Sequence, residues 1–378
     1  MANIGFRKIF SSIQNHFLST SAAFYSSSSC SSVSRPFTVE YLMNSCGLSL
    51  KSAISASNKI LLVENNLKNP DSVLDLLKSH GFSSTQVAKL IEKRPSLLLS
   101  KVEGNLKPKI VFLVGNGFKG SLLPELIVGN PIILLRALDS HIKPSIEFLK
   151  GVLQNEEKFI AAIRRSSWLI TFGWKGIVKP NIEYLIGEGI PISNICKFIQ
   201  LQPRSMLQKP DRMIYSVEYV KKLGIEPSTP MFVHALKTMT GMSETTWKKK
   251  FEVLKSLGWN EEQIVSAFKR NPYFMAASEE KLRLATDFYM NTMNLDLDTL
   301  VSYPTFFVYG IDQRIRPRYN VLKVLQSKNL VSKEKKIEWL YTVSEKVFRD
   351  NYVLKYVDEV PELLQIYDVT GKKQRKAT

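Results

Sequence analysis

The sequence predicts an all-α protein, a superhelical solenoid of about eight helical repeats running from about residue 40 to 368. Three periodic features carry that expectation. The triplets Leu106-Lys107-Pro108, Ile142-Lys143-Pro144 and Val178-Lys179-Pro180 place their prolines 36 residues apart. A second proline keeps the same beat in Arg94-Pro95-Ser96-Leu97-Leu98, Asn130-Pro131-Ile132-Ile133-Leu134, Gln202-Pro203-Arg204-Ser205-Met206, Asn271-Pro272-Tyr273-Phe274 and Tyr303-Pro304-Thr305-Phe306. Cycles close on a glycine and an apolar residue, as in Gly81-Phe82, Gly117-Phe118, Gly189-Ile190, Gly224-Ile225 and Gly258-Trp259. Units of about 32 to 36 residues cannot bury an apolar face alone, so they must stack.

Taken in chain order, residues 1 to 39 contain no Asp or Glu, three basic residues (Arg7, Lys8, Arg35) and a serine-rich stretch ending at Ser26 to Ser29. That is the composition of an organelle transit peptide. Phe6, Ile9, Phe10, Ile13 and Phe17 recur at helical spacing beside Arg7 and Lys8, the basic amphipathic pattern that mitochondrial import favours. The expected compartment is the mitochondrion; the chloroplast, whose transit peptides share the serine richness, is the alternative. No long apolar stretch precedes a small-residue cleavage site, which argues against secretion.

Within a cycle, Gly81 is placed to end a helix, and Ser83 to cap the next with Gln86 three residues on as a capping box. Val87, Leu90 and Ile91 then give that helix its buried face. Asn260 with Gln263, before Ile264, Ala267 and Phe268, repeats the arrangement. Pro95 or Pro272 stops the helix, a short turn such as Ser96 to Leu99 follows, and Lys107-Pro108 opens a second long helix, where proline needs no amide partner. Later second helices are expected at Ser216 to Val220, Lys250 to Leu254 and Pro317 to Leu322. The copy at Ser166-Ser167-Trp168-Leu169 has lost its proline, and the region around Met239 departs from the pattern. Residues 369 to 378, with Lys372, Lys373, Arg375 and Lys376, read as a basic disordered tail.

The periodic proline before Leu-Leu, the Lys-Pro helix start and the closing Gly-Phe resemble the repeat of the mitochondrial transcription termination factor (mTERF) family. The likeness covers about residues 40 to 330, and Ile337 to Tyr367 is similar to the carboxy-terminal ends of plant members. The resemblance implies three-helix units stacked into a left-handed superhelix whose concave groove holds nucleic acid in mitochondria or plastids.

The net charge of +18 points to a polyanionic partner, nucleic acid or an anionic membrane surface. Between residues 201 and 336 there are 22 Lys or Arg against 14 Asp or Glu, gathered at Lys248, Lys249 and Lys250, at Lys269 and Arg270, and at Arg314, Arg316 and Arg318. Lys107, Lys143 and Lys179 hold the helix-start position in earlier units, where backbone amides already favour a phosphate. These eleven residues are the expected nucleic-acid contacts, directed at the backbone of double-stranded DNA or structured RNA by a monomer. A protein-binding helical scaffold is the alternative.

Nothing in the sequence calls for an enzyme. Gly115-Asn116-Gly117-Phe118-Lys119-Gly120 matches GxGxxG after the strand-like Lys109 to Val114, yet the following ten residues carry Pro124 and Gly129 and make a poor crossover helix. These glycines fit better as a repeat helix end and its turn. His16, His80, His141 and His234 are isolated and read as surface or packing residues. Glu261-Glu262 and Glu279-Glu280 point to different helix faces. Cys30, Cys46 and Cys196 form no CxxC pair. Trp168, Trp174, Trp247, Trp259 and Trp339 are read mainly as core, with base stacking as the alternative. No metal, cofactor or small-molecule substrate is expected, and apolar runs such as Ile110 to Val114 are too short to insert in a membrane.

Overall fold

The structure is a computed structural model that describes residues 34–332 and 338–372, with side chains for 35–332 and 340–367. The amphipathic segment Phe6 to Phe17, Cys30, the side chain of Trp339 and residues 373–378 of the expected tail lie outside the described residues, while residues 369–372 of that tail belong to the last helix. Every described regular element is helical and no strand is present among them. No described helix is long and apolar enough to cross a membrane.

The chain divides between Leu135 and Arg136 into two compact units. No shift in composition marks that division. The first unit holds α1 (Ser34–Asn44), α2 (Leu50–Ser57), α3 (Lys68–Ser79), α4 (Ser84–Lys93), α5 (Lys107–Gly115), α6 (Leu122–Gly129) and α7 (Ile132–Leu135). α1 thus begins upstream of the boundary expected at residue 39. The second unit holds α8 (Lys143–Leu153), α9 (Glu156–Arg165), α10 (Lys179–Gly187), α11 (Ile192–Leu201), α12 (Pro210–Lys222), α13 (Pro230–Thr240) and α14 (Glu244–Ser256). It continues with α15 (Glu261–Arg270), α16 (Glu279–Asp287), α17 (Leu297–Ser302), α18 (Arg316–Ser327), α19 (Glu345–Phe348) and α20 (Glu362–Lys372).

One cycle is a first helix, a short 3₁₀ turn and a second helix. α4, Pro95–Leu99 and α5 show it, as do α11, Pro203–Leu207 and α12, and α15, Pro272–Ala276 and α16. The turn survives without its proline at Ser167–Ile170, between α9 and α10. It is lost after α13, where Thr238, Met239 and Thr240 are themselves buried and Ser243 caps α14 directly.

Helix boundaries follow local chemistry. Ser83 and Gln86 form the expected capping box, the Gln86 amide donating to Ser83 Oγ at 3.3 Å and the Ser83 amide to Gln86 Oε1 at 2.9 Å. Asn260 and Gln263 form the second, at 2.8 and 3.0 Å. Each N-cap contributes about 1 kcal/mol. Gly81 and Gly258 close α3 and α14 with φ of +85° and +91°, a region L side chains avoid. The following Phe82 and Trp259 amides donate back to Leu77 and Leu254 carbonyls at 3.2 Å in both cases, the Schellman arrangement.

The Lys-Pro starts differ from the expectation in one respect. Each proline lies inside a helix already begun by a widened π turn: Val102–Leu106, Leu138–Ile142, Trp174–Val178 and Ile311–Ile315. A proline ring collides with the carbonyl four residues back in a regular helix. For Pro108, Pro144, Pro180 and Pro317 that carbonyl belongs to Gly104, Ser140, Gly176 and Gln313, each within the wide turn, which makes room for the ring. The GxGxxG segment is the end of α5 and its turn, and the strand-like Lys109 to Val114 lies within α5.

Trp174, Trp247 and Trp259 are core residues, and Trp168 is half-buried. Trp247 packs edge-on to Phe268 and Tyr219, its indole N–H donating to the Tyr219 hydroxyl at 3.0 Å. Cys46 and Cys196 are buried and free.

Candidate nucleic-acid interface

The basic residues of the second helices take two directions. The residue after the Lys-Pro proline, or its equivalent, points inward and bonds carbonyls of the short turn that follows. Lys109 reaches the Leu134 carbonyl at 2.6 Å, and Asn181 reaches Met206 and Gln208 at 3.0 and 2.8 Å. Lys250 donates to Met275 at 2.7 Å and also to Ala277. Arg318 donates to Leu340, Tyr341 and Val343 at 3.2, 3.1 and 2.7 Å and pairs with Glu345 at 3.0 Å. These donors satisfy carbonyls that a 3₁₀ turn leaves open.

Two of the expected phosphate contacts are corrected by that geometry. Lys250 is 6% and Arg318 0% exposed, so neither can meet a ligand at the surface. Burial also pushes the Lys250 amine below its ordinary pKa. Arg314 is half-buried and spends its guanidinium on the Tyr341, Thr342 and Val343 carbonyls while stacking on Tyr309, 3.9 Å from the ring centroid.

The outward cations at the helix starts are matched by carboxylates four residues away. Lys107 pairs with Glu103 at 3.0 Å, Lys143 with Asp139 at 2.6 Å, Lys179 with Glu183 at 3.5 Å and Arg316 with Asp312 at 2.9 Å. Lys248 pairs with Glu244 at 2.9 Å. It shares with Lys249 and Arg283 an open groove of about 660 Å³ that Glu244, Glu252 and Glu279 also line, so its charge is mixed. Lys269 and Arg270 are exposed at the end of α15, and Lys269 Nζ lies against Gly224, where an added methyl would come within 2.8 Å of it.

A different set of cations gathers on the first helices of the second unit. Arg165 closes α9, its guanidinium donating to the Gln200 carbonyl and, at 3.5 Å, to that of Leu201. Lys197 lies on α11, and His234 and Lys237 on α13. Lys237 Nζ sits 4.6 Å from the centroid of the Tyr273 ring, and His234 Nδ1 is 2.5 Å from the Tyr273 hydroxyl. Burial, then Lys197 and Lys237, hold the His234 imidazole below its ordinary pKa; burial, then Arg165, lower that of Lys237. No carboxylate acts on either group, and among the described residues none of Arg165, Lys197 and Lys237 forms an ion pair.

Sequence reading missed this set because it followed proline-marked positions. The buried residues of the first helices offer a better register: Phe159, Ala162, Ile163; Ile195, Phe198, Ile199; Phe232, Ala235, Leu236; Ile264, Ala267, Phe268. In that register Lys197 and His234 are equivalent, and so are Arg164, Lys237 and Lys269.

Tandem helix, turn and helix units define an all-α repeat protein whose first helices carry Arg165, Lys197 and Lys237 without an ion pair among the described residues. The chain belongs to the mTERF family, whose model, described as mTERF, matches residues 74–283 and 228–349. It is similar to the chloroplastic transcription termination factor MTERF8 of Arabidopsis thaliana, 21% identical over 38% of this chain and 28% of that protein. The mitochondrial transcription termination factor MTERF15 of Arabidopsis thaliana is 24% identical over 52% of this chain and 50% of that protein. The chloroplastic MTERF4 of Oryza sativa subsp. japonica is 27% identical over 21% and 16%. The chain thus spans half or less of the length of these relatives.

Proposed function

We propose that the chain binds nucleic acid inside an organelle and regulates gene expression there, through transcription termination or other transcriptional control, or through RNA processing such as intron splicing. The observation that carries the reading is the set of Arg165, Lys197 and Lys237 on three first helices, none of which forms an ion pair among the described residues. Like charges held together without internal counter-charge attract a polyanion from outside. Family membership and the names of the matched relatives support the same reading. The ligand is double-stranded DNA or structured RNA, held by its backbone without sequence readout from these side chains. Exposed Lys107, Lys248, Lys249, Lys269 and Arg270 and half-buried Lys143, Lys179 and Arg316 serve as secondary contacts. The protein acts as a monomer, without catalysis.

Fluorescence anisotropy of the full chain with labelled duplex DNA and with a hairpin RNA, across a salt series, tests this. The expected affinity falls steeply with salt, by a logarithmic slope of about 0.9 per phosphate contact on B-form DNA. Absence of binding to either ligand at low salt sinks the reading and leaves the protein-binding scaffold. Within the proposal the organelle is the mitochondrion, on the composition of residues 1 to 39. A fusion of that segment to a fluorescent protein should report mitochondria, and a plastid signal would reassign it.

A further inference from the structure

His234 stands beside these cations and can change its charge near neutral pH. Its surroundings decide what drives the change. α13 packs against α11, α12, the turn Pro272–Ala276 and α15. α11 contributes Lys197, α13 itself Lys237, and the turn contributes the Tyr273 hydroxyl; no charged group of α12 or α15 acts on the ring. With two ammonium groups acting on it and part of its water removed, the ring's charged form is disfavoured in the unliganded protein. A phosphodiester entering between the ammonium groups reverses that balance, because its negative charge favours the imidazolium.

We infer that a backbone phosphate of the bound nucleic acid lies between Lys197 and Lys237, and that its binding is coupled to the uptake of one proton by His234. The inference rests on the nucleic-acid reading above and deepens it by naming a contact and its control. The proton comes from solvent and stays on the imidazole. Once charged, Nδ1–H donates to the Tyr273 hydroxyl oxygen, so the phenol proton is released from any bond to Nδ1 and becomes a donor for a phosphate oxygen. Tyr273 is half-buried beside Lys237, which places this donor among the same cations.

The free protein has a depressed imidazole pKa and the complex a raised one, so the complex holds more protons in between and affinity rises as pH falls. If binding moves the imidazole from below its ordinary value to above it, affinity at pH of about 6.5 exceeds that at about 8 by roughly fivefold. Folding sets the lower limit of the window. Because the folded-state pKa of His234 is depressed, its contribution to stability is complete above the unfolded value of about 6.5 and declines as pH falls through the folded value.

The test is anisotropy of the full chain with labelled duplex DNA and hairpin RNA at fixed ionic strength over that window, with circular dichroism at each pH. Wild type should bind roughly fivefold tighter at the acidic end, and His234→Gln should lose that dependence. Tyr273→Phe should keep the fold but show a smaller gain. His141, whose imidazole is also held low, by burial and then Arg136, is the control: His141→Gln should retain the full dependence. Wild-type binding that ignores pH, or a pH dependence that survives in His234→Gln, overturns the inference and leaves the nucleic-acid reading intact. Failure to bind at either pH overturns both. Should His234→Gln misfold, the His234 ring resonance in wild type decides: its titration midpoint must rise on adding DNA, and an unmoved midpoint refutes the coupling.

Discussion

The starts of the second helices and the ends of the first helices are both rich in cations, and they handle them in opposite ways. At the starts, Lys107, Lys143 and Arg316 each face a carboxylate one turn earlier. At the ends, Arg165 and Lys237 face none, and neither does Lys197 midway along α11. The helix dipole accounts for the difference. The amino-terminal turn carries about half a positive charge, which favours Glu103, Asp139 and Asp312 in the first turn and makes an unaccompanied cation costly there. The last turn carries the opposite partial charge and open carbonyls, so a cation is accommodated without a carboxylate, as Arg165 is by those of Gln200 and Leu201. A cation left with only partial counter-charge remains available to a phosphate. The first unit lacks this arrangement: the positions equivalent to Lys197 and Lys237 hold Lys89 and Glu92 in α4, and Glu125 and Val128 in α6.

The largest effect separates inward from outward cations. Arg318→Met should lower the unfolding free energy by about 3–5 kcal/mol, because Leu340 loses its side-chain donor, Tyr341 and Val343 keep only that of Arg314, and Glu345 loses its ion-pair partner. Lys250→Met should cost roughly 2–3 kcal/mol for the same reason. Lys248→Met, on the same helix but facing solvent, should leave the urea midpoint where it is. Equal midpoints for Lys248→Met and Lys250→Met would remove the inward latch from the account. Reversing Arg314, Arg316 and Arg318 together would therefore unfold this region rather than report on binding.

The next effect is on affinity. Lys197→Glu with Lys237→Glu removes two cations that lack carboxylate partners, and binding to duplex DNA in about 0.1 M salt should fall by roughly fiftyfold, with the logarithmic salt slope shallower by about 1.8. Lys107→Ala with Lys143→Ala, which removes two cations already matched by acids, should cost no more than about threefold. Titrations of both variants against one duplex decide it; equal losses would erase the distinction between the two ends.

Much of the fold was legible because local rules agree with one another. Ser83 with Gln86, Asn260 with Gln263 and the closing Gly81 and Gly258 occupy the geometry their spacing demands. Pro95 and Pro272 mark their turns as read, whereas the turn at Ser167–Ile170 persists without a proline since Leu169 and Ile170 still bury. The wide turns before Pro108 and Pro144 were not legible, because the clash they relieve is between groups four residues apart that no apolar pattern records. The interface was less readable still. Lys248 and Lys250 are two residues apart with identical chemistry, and only the phase of the apolar stripe in α14 sends one to solvent and the other to the Met275 carbonyl. His234 looked isolated because its neighbours Lys197 and Tyr273 come from cycles on either side.

The smallest expected effect is a gain. If the cations at the helix starts are held back by their carboxylates, then Glu103→Gln, Asp139→Asn and Asp312→Asn should tighten binding. The acids are 78, 82 and 65% exposed, so their ion pairs stand in high dielectric and each is worth no more than about 0.5 kcal/mol to stability. The amides retain hydrogen-bonding ability at the helix start, which further limits the cost. For a polyanion the arithmetic differs: each substitution removes one negative charge beside the ligand path and frees one cation, and on a backbone in about 0.1 M salt that corresponds to roughly a two- to threefold gain per site. The gain should shrink as salt rises, since these pairs are exposed and screened. Anisotropy on the triple variant at low and high salt reads both quantities together with the melting temperature. Tighter binding that fades with salt, at unchanged stability, places Lys107, Lys143 and Arg316 beside the nucleic acid. Unchanged affinity at low salt would put those helix starts away from it and leave the ends of the first helices as the contact.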